Sequence, residues 1–167
     1  VLISGDFKDD RNIIANSSDA QQLINDYNAE MKNFSNQSKE LFEKYEIAAN
    51  NNDETAIQAI ESEYEQVEKN QTTYQNLFLT KNSNSFVAPY ILYNNRYNYE
   101  LNELEDFVNN FNIKEENIYS KLLDEYIAAL QRVDIGQPYI DFTQETPEGY
   151  LLSLSELVGK SKLILID

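Results

Sequence analysis

The sequence predicts a mainly α-helical protein, with one long antiparallel helical hairpin, three shorter helices and a few strands near its C-terminal end. Apolar residues recur every three or four positions over residues 20–48 and again over residues 57–78. Three shorter amphipathic segments follow, up to residue 132. Beyond it, apolar residues lie in short runs between turn formers, which is typical of strands.

Composition narrows the functions that this chain can perform. It has 167 residues, with 29 Asp and Glu against 13 Lys and Arg, a formal charge of −16. Such a charge disfavours electrostatic binding to nucleic acid or to an anionic membrane surface. Cys and His are both absent, which excludes cysteine nucleophiles, Ser-His triads and Cys/His zinc sites. We therefore predict no cofactor or metal site and no complete catalytic site in this chain.

The elements follow in order from the N-terminus. Residues 1–8 predict one short strand, followed by a polar loop through Ser17. Ser18 is a favourable N-cap for the first long helix, and Gln21 is spaced to complete a capping box. The twelve Tyr and eight Phe of the chain supply aromatic area for a core, which argues against disorder.

Two apolar stripes predict the long hairpin. The members of each stripe alternate three and four residues apart, as on one face of a helix. The first stripe comprises Ala20, Ile24, Tyr27, Met31, Phe34, Ser38, Leu41, Tyr45 and Ala48, and the second comprises Ile57, Ile60, Tyr64, Val67, Gln71, Tyr74 and Phe78.

The polar cluster at residues 50–53 separates the stripes, and a short turn favours antiparallel packing of the two helices. Alternatively, the stripes form a groove for a partner or a coiled-coil seam with another chain. The acidic run of Glu61, Glu63, Glu65 and Glu68 is interpreted as a solvated helix face.

Three shorter helices are predicted between residues 82 and 132. In the first, Pro89 is expected to kink or divide the helix, because it lies too far in for a first-turn proline. The other two helices each have one apolar face. These faces comprise Leu101, Leu104, Phe107, Val108 and Phe111 in one helix, and Ile118, Leu122, Leu123, Tyr126, Ile127 and Leu130 in the other.

The C-terminal part has the pattern of strands. Residues 139–146 and 150–154 flank the turn formers Pro147 and Gly149, which predicts a β-hairpin. Ser155 is the expected N-cap of a short helical turn. The run Leu163–Ile166 is typical of a strand that is covered on both faces. We therefore expect this chain to be a piece of a longer protein, in which the strand lies inside a mixed sheet with helices on both faces. In the chain as given, we expect the strand either to pack on the helices or to pair between molecules, which would give a homo-oligomer.

The C-terminal part also resembles the start of the thioredoxin-like domain in the TlpA/ResA and AhpC–TSA group of thiol-disulfide oxidoreductases. The matching residues are Ile135, Gly136, Asp141, Phe142, Gly149, Leu154, Ser155, Leu157, Gly159, Lys160 and the run Leu163–Asp167. The departures are Tyr139 and Ile140, where Ala-Pro is usual, and Gln144, where an apolar residue is usual. This match covers about 33 residues in a specific order and spacing.

The resemblance implies a truncated thioredoxin-like α/β fold, of which this chain contains the first strands, namely a hairpin and the central strand. In the family this strand leads into a Cys-x-x-Cys motif at a helix N-terminus, which lowers the pKa of the first thiol. Asp167 matches the buried acid that relays the proton of the second Cys. The parent would act on protein thiols and disulfides in the periplasm or cell envelope, with a lipid anchor.

A looser resemblance concerns the helices. Residues 84–95 and 118–138 are similar to the helical segment that joins a DUF4369-type β-rich domain to thioredoxin-like domains in Bacteroidota lipoproteins. The resulting domain limits are 1–17, the remnant of the β-rich domain, 18–132, the helical domain, and 133–167, the start of the thioredoxin-like domain. Alternatively, the chain is a stand-alone helical interaction module without redox activity.

Overall fold

The computed structural model describes residues 2–6, 9–16, 18–113, 117–160, 162, 164 and 165, of which the first two ranges are described as backbone. The elements are β1 (Leu2–Asp6), β2 (Asp9–Asn16), α1 (Asp19–Asn50), α2 (Glu54–Lys81), α3 (Val87–Asn94), α4 (Leu101–Asn110), α5 (Ile118–Val133), β3 (Thr143–Glu145) and β4 (Leu151–Ser153). Short 3-10 helices cover Arg96–Asn98 and Leu154–Glu156. The predicted mainly helical fold is therefore confirmed.

The chain divides into two compact units, Val1–Asp124 and Glu125–Asp167. The first contains both long helices and the packing between them. The second contains the β-hairpin of the C-terminal part. The predicted domain limits at residues 17 and 132 stay predictions.

The N-terminal segment forms two strands, whereas one strand and a polar loop were predicted. β1 pairs with β2 in antiparallel register, with Leu2 opposite Asn16 and Ser4 opposite Ile14. The polar residues at the start of β2 indicated a loop. Strand preference depends strongly on the neighbouring strand, and here β1 supplies the backbone partners that make the segment extended.

The start of α1 follows the predicted cap. The Ser18 hydroxyl accepts a hydrogen bond from the backbone N–H of Gln21 at 3.2 Å. The side chain of Gln21 lies along the helix, where its Nε2 donates to Asn25 Oδ1 at 3.1 Å. Ser18 therefore satisfies one of the free N–H groups of the first turn, as an N-cap does.

The α1–α2 pair is the predicted antiparallel hairpin. On α1, the buried residues are Tyr27, Phe34, Leu41 and Ala48, which are spaced seven apart along the first stripe. Phe34, Leu41 and Val67 form one buried cluster, against which Met31, Ile60 and Tyr74 pack. Near the start of α1, Tyr27 contacts Phe78 with ring centroids 5.0 Å apart. Partners early in α1 thus lie late in α2, which confirms the antiparallel arrangement.

The turn between the two helices uses the predicted polar cluster. Asn52 adopts a φ of 53°, a left-handed conformation that Asn tolerates better than most residues. Asp53 caps α2, since its Oδ1 accepts the backbone N–H of Ala56 at 3.0 Å. The reversal is completed within three residues.

The prediction that Pro89 kinks or divides a helix is wrong. α3 begins at Val87, later than predicted, so Pro89 lies in its first turn. Backbone N–H groups of a first turn have no partner within the helix, and proline is tolerated there. The preceding residues form turns instead, in which Ser85 N donates to Asn82 O at 2.8 Å.

The shorter helices bury their predicted faces. Leu104 of α4 and Leu123 of α5 are fully buried, as are Val87, Ala88 and Leu92 of α3. Ile118 is an exception, because it lies at the first residue of α5 and is 67% exposed. Tyr119 packs edge-on against Tyr90, with centroids 5.1 Å apart, and so joins the start of α5 to α3.

The second unit contains the predicted β-hairpin, in a shorter form. β3 and β4 pair antiparallel, with Thr143 opposite Ser153. The predicted N-cap at Ser155 is wrong. Ser153 caps the 3-10 helix, because Ser153 and Glu156 form a reciprocal capping box.

The predicted C-terminal strand is not formed at the two of its residues that the structure describes. Ile164 and Leu165 belong to no strand, and Leu165 is 88% exposed. Leu163, Ile166 and Asp167 lie outside the described residues. An apolar run becomes a strand when neighbouring backbone satisfies its N–H and C=O groups, and the described sheet of this unit has two strands, β3 and β4. Packing of this run on the helices or between molecules stays a prediction.

Replacement of a seam side chain by Ala should lower the free energy of unfolding more when that side chain is more deeply buried. We expect Leu41→Ala to lower the free energy of unfolding by about 2–5 kcal/mol, because Leu41 is buried. Ile60→Ala should cost less, since Ile60 is half-buried. Glu63→Ala, on the exposed face, should stay within about 0.5 kcal/mol. Urea melts measure this order, and equal midpoints for all three variants would contradict it.

Candidate functional site

The site residue predicted from sequence, Asp167, lies outside the described residues. The described part of the chain offers three other regions. They are the matched residues of the second unit, a polar network at one end of the helical hairpin and an apolar groove nearer its turn.

Matched residues of the second unit are joined by hydrogen bonds. The backbone N–H of Ser155 donates to Asp141 Oδ1 at 2.8 Å. Next to this bond, Leu154 N donates to Phe142 O at 3.0 Å. Two segments that are more than ten residues apart in sequence are thereby connected. We call this pair of hydrogen bonds the Asp141–Ser155 joint.

The joint also sets the electrostatics of Asp141. Hydrogen bonds from the Ser155 side chain and then its backbone N–H lower the pKa of the Asp141 carboxyl below its ordinary value of 3.8. Donors to a carboxylate favour the charged form. Asp141 is therefore an ionised acceptor at neutral pH rather than an acid that donates a proton.

Glycines of the matched pattern occupy positions where a side chain would be strained. Gly149 has a φ of +86° in the turn of the β-hairpin, and its N–H donates to Thr146 O at 2.9 Å. Gly159 has a φ of +83° just after the 3-10 helix. Glycine adopts this left-handed region at no steric cost. The resembling residues thus include two with a conformational reason for their identity.

A small apolar pocket lies beside the joint. It has a volume of about 250 Å³ and is lined on its apolar side by Phe142, Leu152, Leu154, Leu157, Ile164 and Leu165. Leu154 is the buried member of this set. Several apolar side chains elsewhere in the second unit remain in solvent, including Ile135, which is fully exposed.

The polar network lies where α1 and α2 meet the connection between α3 and α4. Gln75 is at its centre and is the buried polar residue of this region. Tyr27 donates its hydroxyl to Gln75 Oε1 at 2.9 Å, and Gln75 Nε2 donates to the Tyr99 hydroxyl at 2.8 Å. Tyr99 in turn donates to Asn76 Oδ1 at 2.9 Å.

Burial controls the ionisation of the two phenols. Desolvation raises the pKa of Tyr27 to about 12, and desolvation likewise raises the pKa of Tyr99 to about 12. Both hydroxyls are therefore neutral over the physiological range and act as hydrogen-bond donors and acceptors. Because each partner of Gln75 is satisfied, the network is best interpreted as structural.

An apolar groove runs along the hairpin in the half nearer the α1–α2 turn. It has a volume of about 380 Å³ and is lined by Leu41, Phe42, Tyr45, Ile60, Glu61, Tyr64 and Glu65. We call it the hairpin groove. Leu41 and Ile60 form its less exposed part, whereas Phe42 is 59% and Tyr64 40% exposed. Large aromatic rings in solvent beside a cleft are typical of binding surfaces.

Some of the residues in these regions were predicted from sequence and others were missed. Tyr64 was assigned to the buried seam but is partly exposed, and Phe42 was outside both stripes. Gln75 was missed because the predicted stripe passes from Gln71 to Tyr74, although Gln75 lies four residues after Gln71. Helical spacing could have found Gln75, but the exposure of Tyr64 depends on what packs beside it.

The described residues contain neither a candidate metal site nor a candidate membrane-spanning helix. No cluster of three or more Asp and Glu in this part of the chain is arranged to hold a metal ion. The helices of the same residues include none with the length and hydrophobicity needed to span a bilayer.

Comparison with known proteins gives no match, since no protein-family model, no curated protein and no solved structure is significantly similar to this chain.

The two buried phenols predict a loss of stability in alkaline solution. Tyrosine ionises near pH 10 in the unfolded chain but near pH 12 in the folded protein. The free energy of unfolding is then unaffected by these phenols below about pH 10. It falls as the pH rises toward 12, by roughly 1–3 kcal/mol for each buried phenol. Urea midpoints between pH 8 and pH 11.5 measure the loss, which should be smaller in Tyr27→Phe. Parallel curves for the variant and the wild type would contradict this assignment.

The joint predicts a titration at the Ser155 amide. Its NMR resonance should shift with an apparent pKa below 3.8, because it reports on Asp141. The stabilising hydrogen bond is present above the unfolded-state pKa and is lost as the pH falls through the lower folded-state value. In Asp141→Asn the shift should vanish, whereas Glu148→Gln, in the nearby hairpin turn, should retain it. A Ser155 resonance that titrates identically in Asp141→Asn would refute the joint.

Proposed function

We propose that this chain is the N-terminal and helical part of a thiol-disulfide oxidoreductase of the TlpA/ResA-like, AhpC–TSA group. In this proposal, residues 133–167 are the start of the thioredoxin-like domain, and the redox cysteines lie in sequence beyond Asp167. The chain itself has no Cys and so cannot form a mixed disulfide. Its contribution is to position the redox domain or to help select the protein whose thiols or disulfides react.

The observation that carries the proposal is the Asp141–Ser155 joint. Asp141, Phe142, Leu154 and Ser155 all belong to the pattern on which the resemblance depends, and they are the residues that the joint connects. The bond from Leu154 to Phe142 extends the pairing of β3 with β4, whereas the bond from Ser155 depends on the carboxylate of Asp141, which the pattern specifies. The positive φ values of Gly149 and Gly159 support the same interpretation.

Exposure of apolar side chains in the second unit is a further support. Tyr139, Ile140, Phe142 and Leu151 are between 41% and 75% exposed. A thioredoxin-like domain would cover such residues with further strands and helices. Exposed apolar area of this extent favours a unit that is completed by additional structure.

The cellular setting is proposed from the same resemblance. The oxidoreductase would act in the periplasm or cell envelope of a Bacteroidota species, with a lipid anchor upstream of a DUF4369-type domain. Its partners would be protein thiols and disulfides. Asp167 would serve as the buried acid that accepts the proton of the second cysteine, because burial raises a carboxyl pKa toward neutrality.

A second candidate is a helical interaction module without redox activity. The hairpin groove favours it, since exposed Phe42 and Tyr64 flank a cleft in the most regular part of the chain. The coding sequence downstream of Asp167 distinguishes the two candidates. A Cys-x-x-Cys motif within about ten residues supports the oxidoreductase, and a stop codon supports the module.

We expect a corresponding result in a redox assay. The chain of 167 residues should not accelerate insulin reduction by dithiothreitol, because it has no thiol. The protein extended through the downstream coding sequence should accelerate it, and serine in place of its first cysteine should remove the effect. An extended protein with Cys-x-x-Cys but no activity above the protein-free control would contradict the proposal.

A further inference from the structure

The hairpin groove leaves apolar surface in solvent for a definite geometric reason. α1 and α2 are 32 and 28 residues long, or about 48 and 42 Å at 1.5 Å per residue. Their half away from the turn is covered, because Tyr99 bonds Gln75 and Asn76 there. In the half nearer the turn, Phe42 and Tyr64 remain partly in solvent beside the cleft.

The charges around the groove have one dominant sign. Residues 39–68 carry nine acidic side chains against two lysines, a net charge of −7, and all eleven are exposed. Glu61 and Glu65 belong to the lining itself. Lys39 is 3.9 Å from Glu43, so one of the two lysines has an acidic neighbour. A groove of this kind combines an apolar floor with an acidic rim.

We infer that the hairpin groove binds a basic amphipathic segment of another protein, with apolar side chains that enter the cleft and Lys or Arg that face Glu61 and Glu65. Aromatic anchors surrounded by polar groups are typical of protein-recognition surfaces. An acidic rim attracts such a segment and accelerates its association. The volume of about 380 Å³ accommodates one or two large side chains rather than a long helix face.

Charge selects this occupant over the other two that an apolar groove suggests. A second copy of the chain carries a net charge of −16 and would present the same acidic rim to the first. An anionic membrane surface would be repelled in the same way. Binding in the hairpin groove does not depend on redox chemistry, because the groove is formed by residues of α1 and α2.

Three synthetic peptides of about 18 residues test the inference, each labelled for fluorescence anisotropy. The first places Leu on one helical face and Lys on the other. The second has Glu at every Lys position, and the third has Ser at every Leu position. The first peptide should bind the 167-residue chain, and its affinity should fall by about tenfold or more between 50 and 300 mM salt. The other two should bind at least about tenfold more weakly.

Charge variants on one helix locate the binding surface. Glu61→Lys with Glu65→Lys reverses two charges in the groove, and Glu63→Lys with Glu68→Lys reverses two that do not line it. Net charge changes equally in both double variants. The first should weaken binding at least about tenfold, and the second by no more than about threefold.

Apolar variants provide an independent reading. Phe42→Ser with Tyr64→Ser removes the exposed aromatic walls and should weaken binding at least about tenfold. Leu77→Ser removes an exposed apolar side chain of α2 outside the groove and should leave the affinity unchanged. Because Tyr64 is only 40% exposed, a urea melt of each variant checks that it is folded under the conditions of the binding titration.

Several outcomes would overturn the inference. One is equal loss of affinity in the two charge double variants, because binding would then follow net charge alone. Another is unchanged binding of the Ser-containing peptide, which would remove any role for the apolar floor. A dimer in sedimentation velocity that Phe42→Ser with Tyr64→Ser dissociates would assign the groove to a second copy. Pelleting of the chain with phosphatidylserine vesicles that these substitutions abolish would assign it to a membrane.

Discussion

Burial of the seam between α1 and α2 is the interaction on which the rest of the helical unit depends. Tyr27, Phe34, Leu41 and Ala48 repeat every seven residues and keep one face of α1 against α2 along its whole length. Most helical stability in proteins comes from such packing of an apolar face. α3 packs against both long helices, and α4 packs against α2.

The aromatic character of the seam explains both the polar network and the hairpin groove. Tyrosine brings a hydroxyl wherever its ring is buried, and that hydroxyl needs a partner. At the end away from the turn, Gln75 and Tyr99 supply partners for Tyr27, which ties the α3–α4 connection to the hairpin. Nearer the turn, Tyr45 and Tyr64 are partly exposed and line the hairpin groove at the surface of the helix pair.

The second unit depends on a different kind of interaction. Short strands and a 3-10 helix bury little apolar area, so local hydrogen bonds carry more of its organisation. Three local features fix the backbone of this unit: the Asp141–Ser155 joint, the capping box at Ser153 and the turn at Gly149. Such features order the backbone without covering the apolar side chains of this unit, of which Ile135 and Leu151 are largely exposed.

The sequence alone determined the elements whose physical cause is local or periodic. Helical spacing of apolar residues predicted both long helices. The hydroxyl of Ser18 caps the first of them, as predicted. The turn formers Pro147 and Gly149 predicted the β-hairpin that β3 and β4 form. Tertiary structure decided what depends on neighbours. β2 is extended because β1 pairs with it, and Ile164 forms no strand where no described partner is paired with it. Tyr64 lines a groove rather than a core, because its exposure depends on whether another element packs over the helix pair. Periodicity along one helix carries no information about that element.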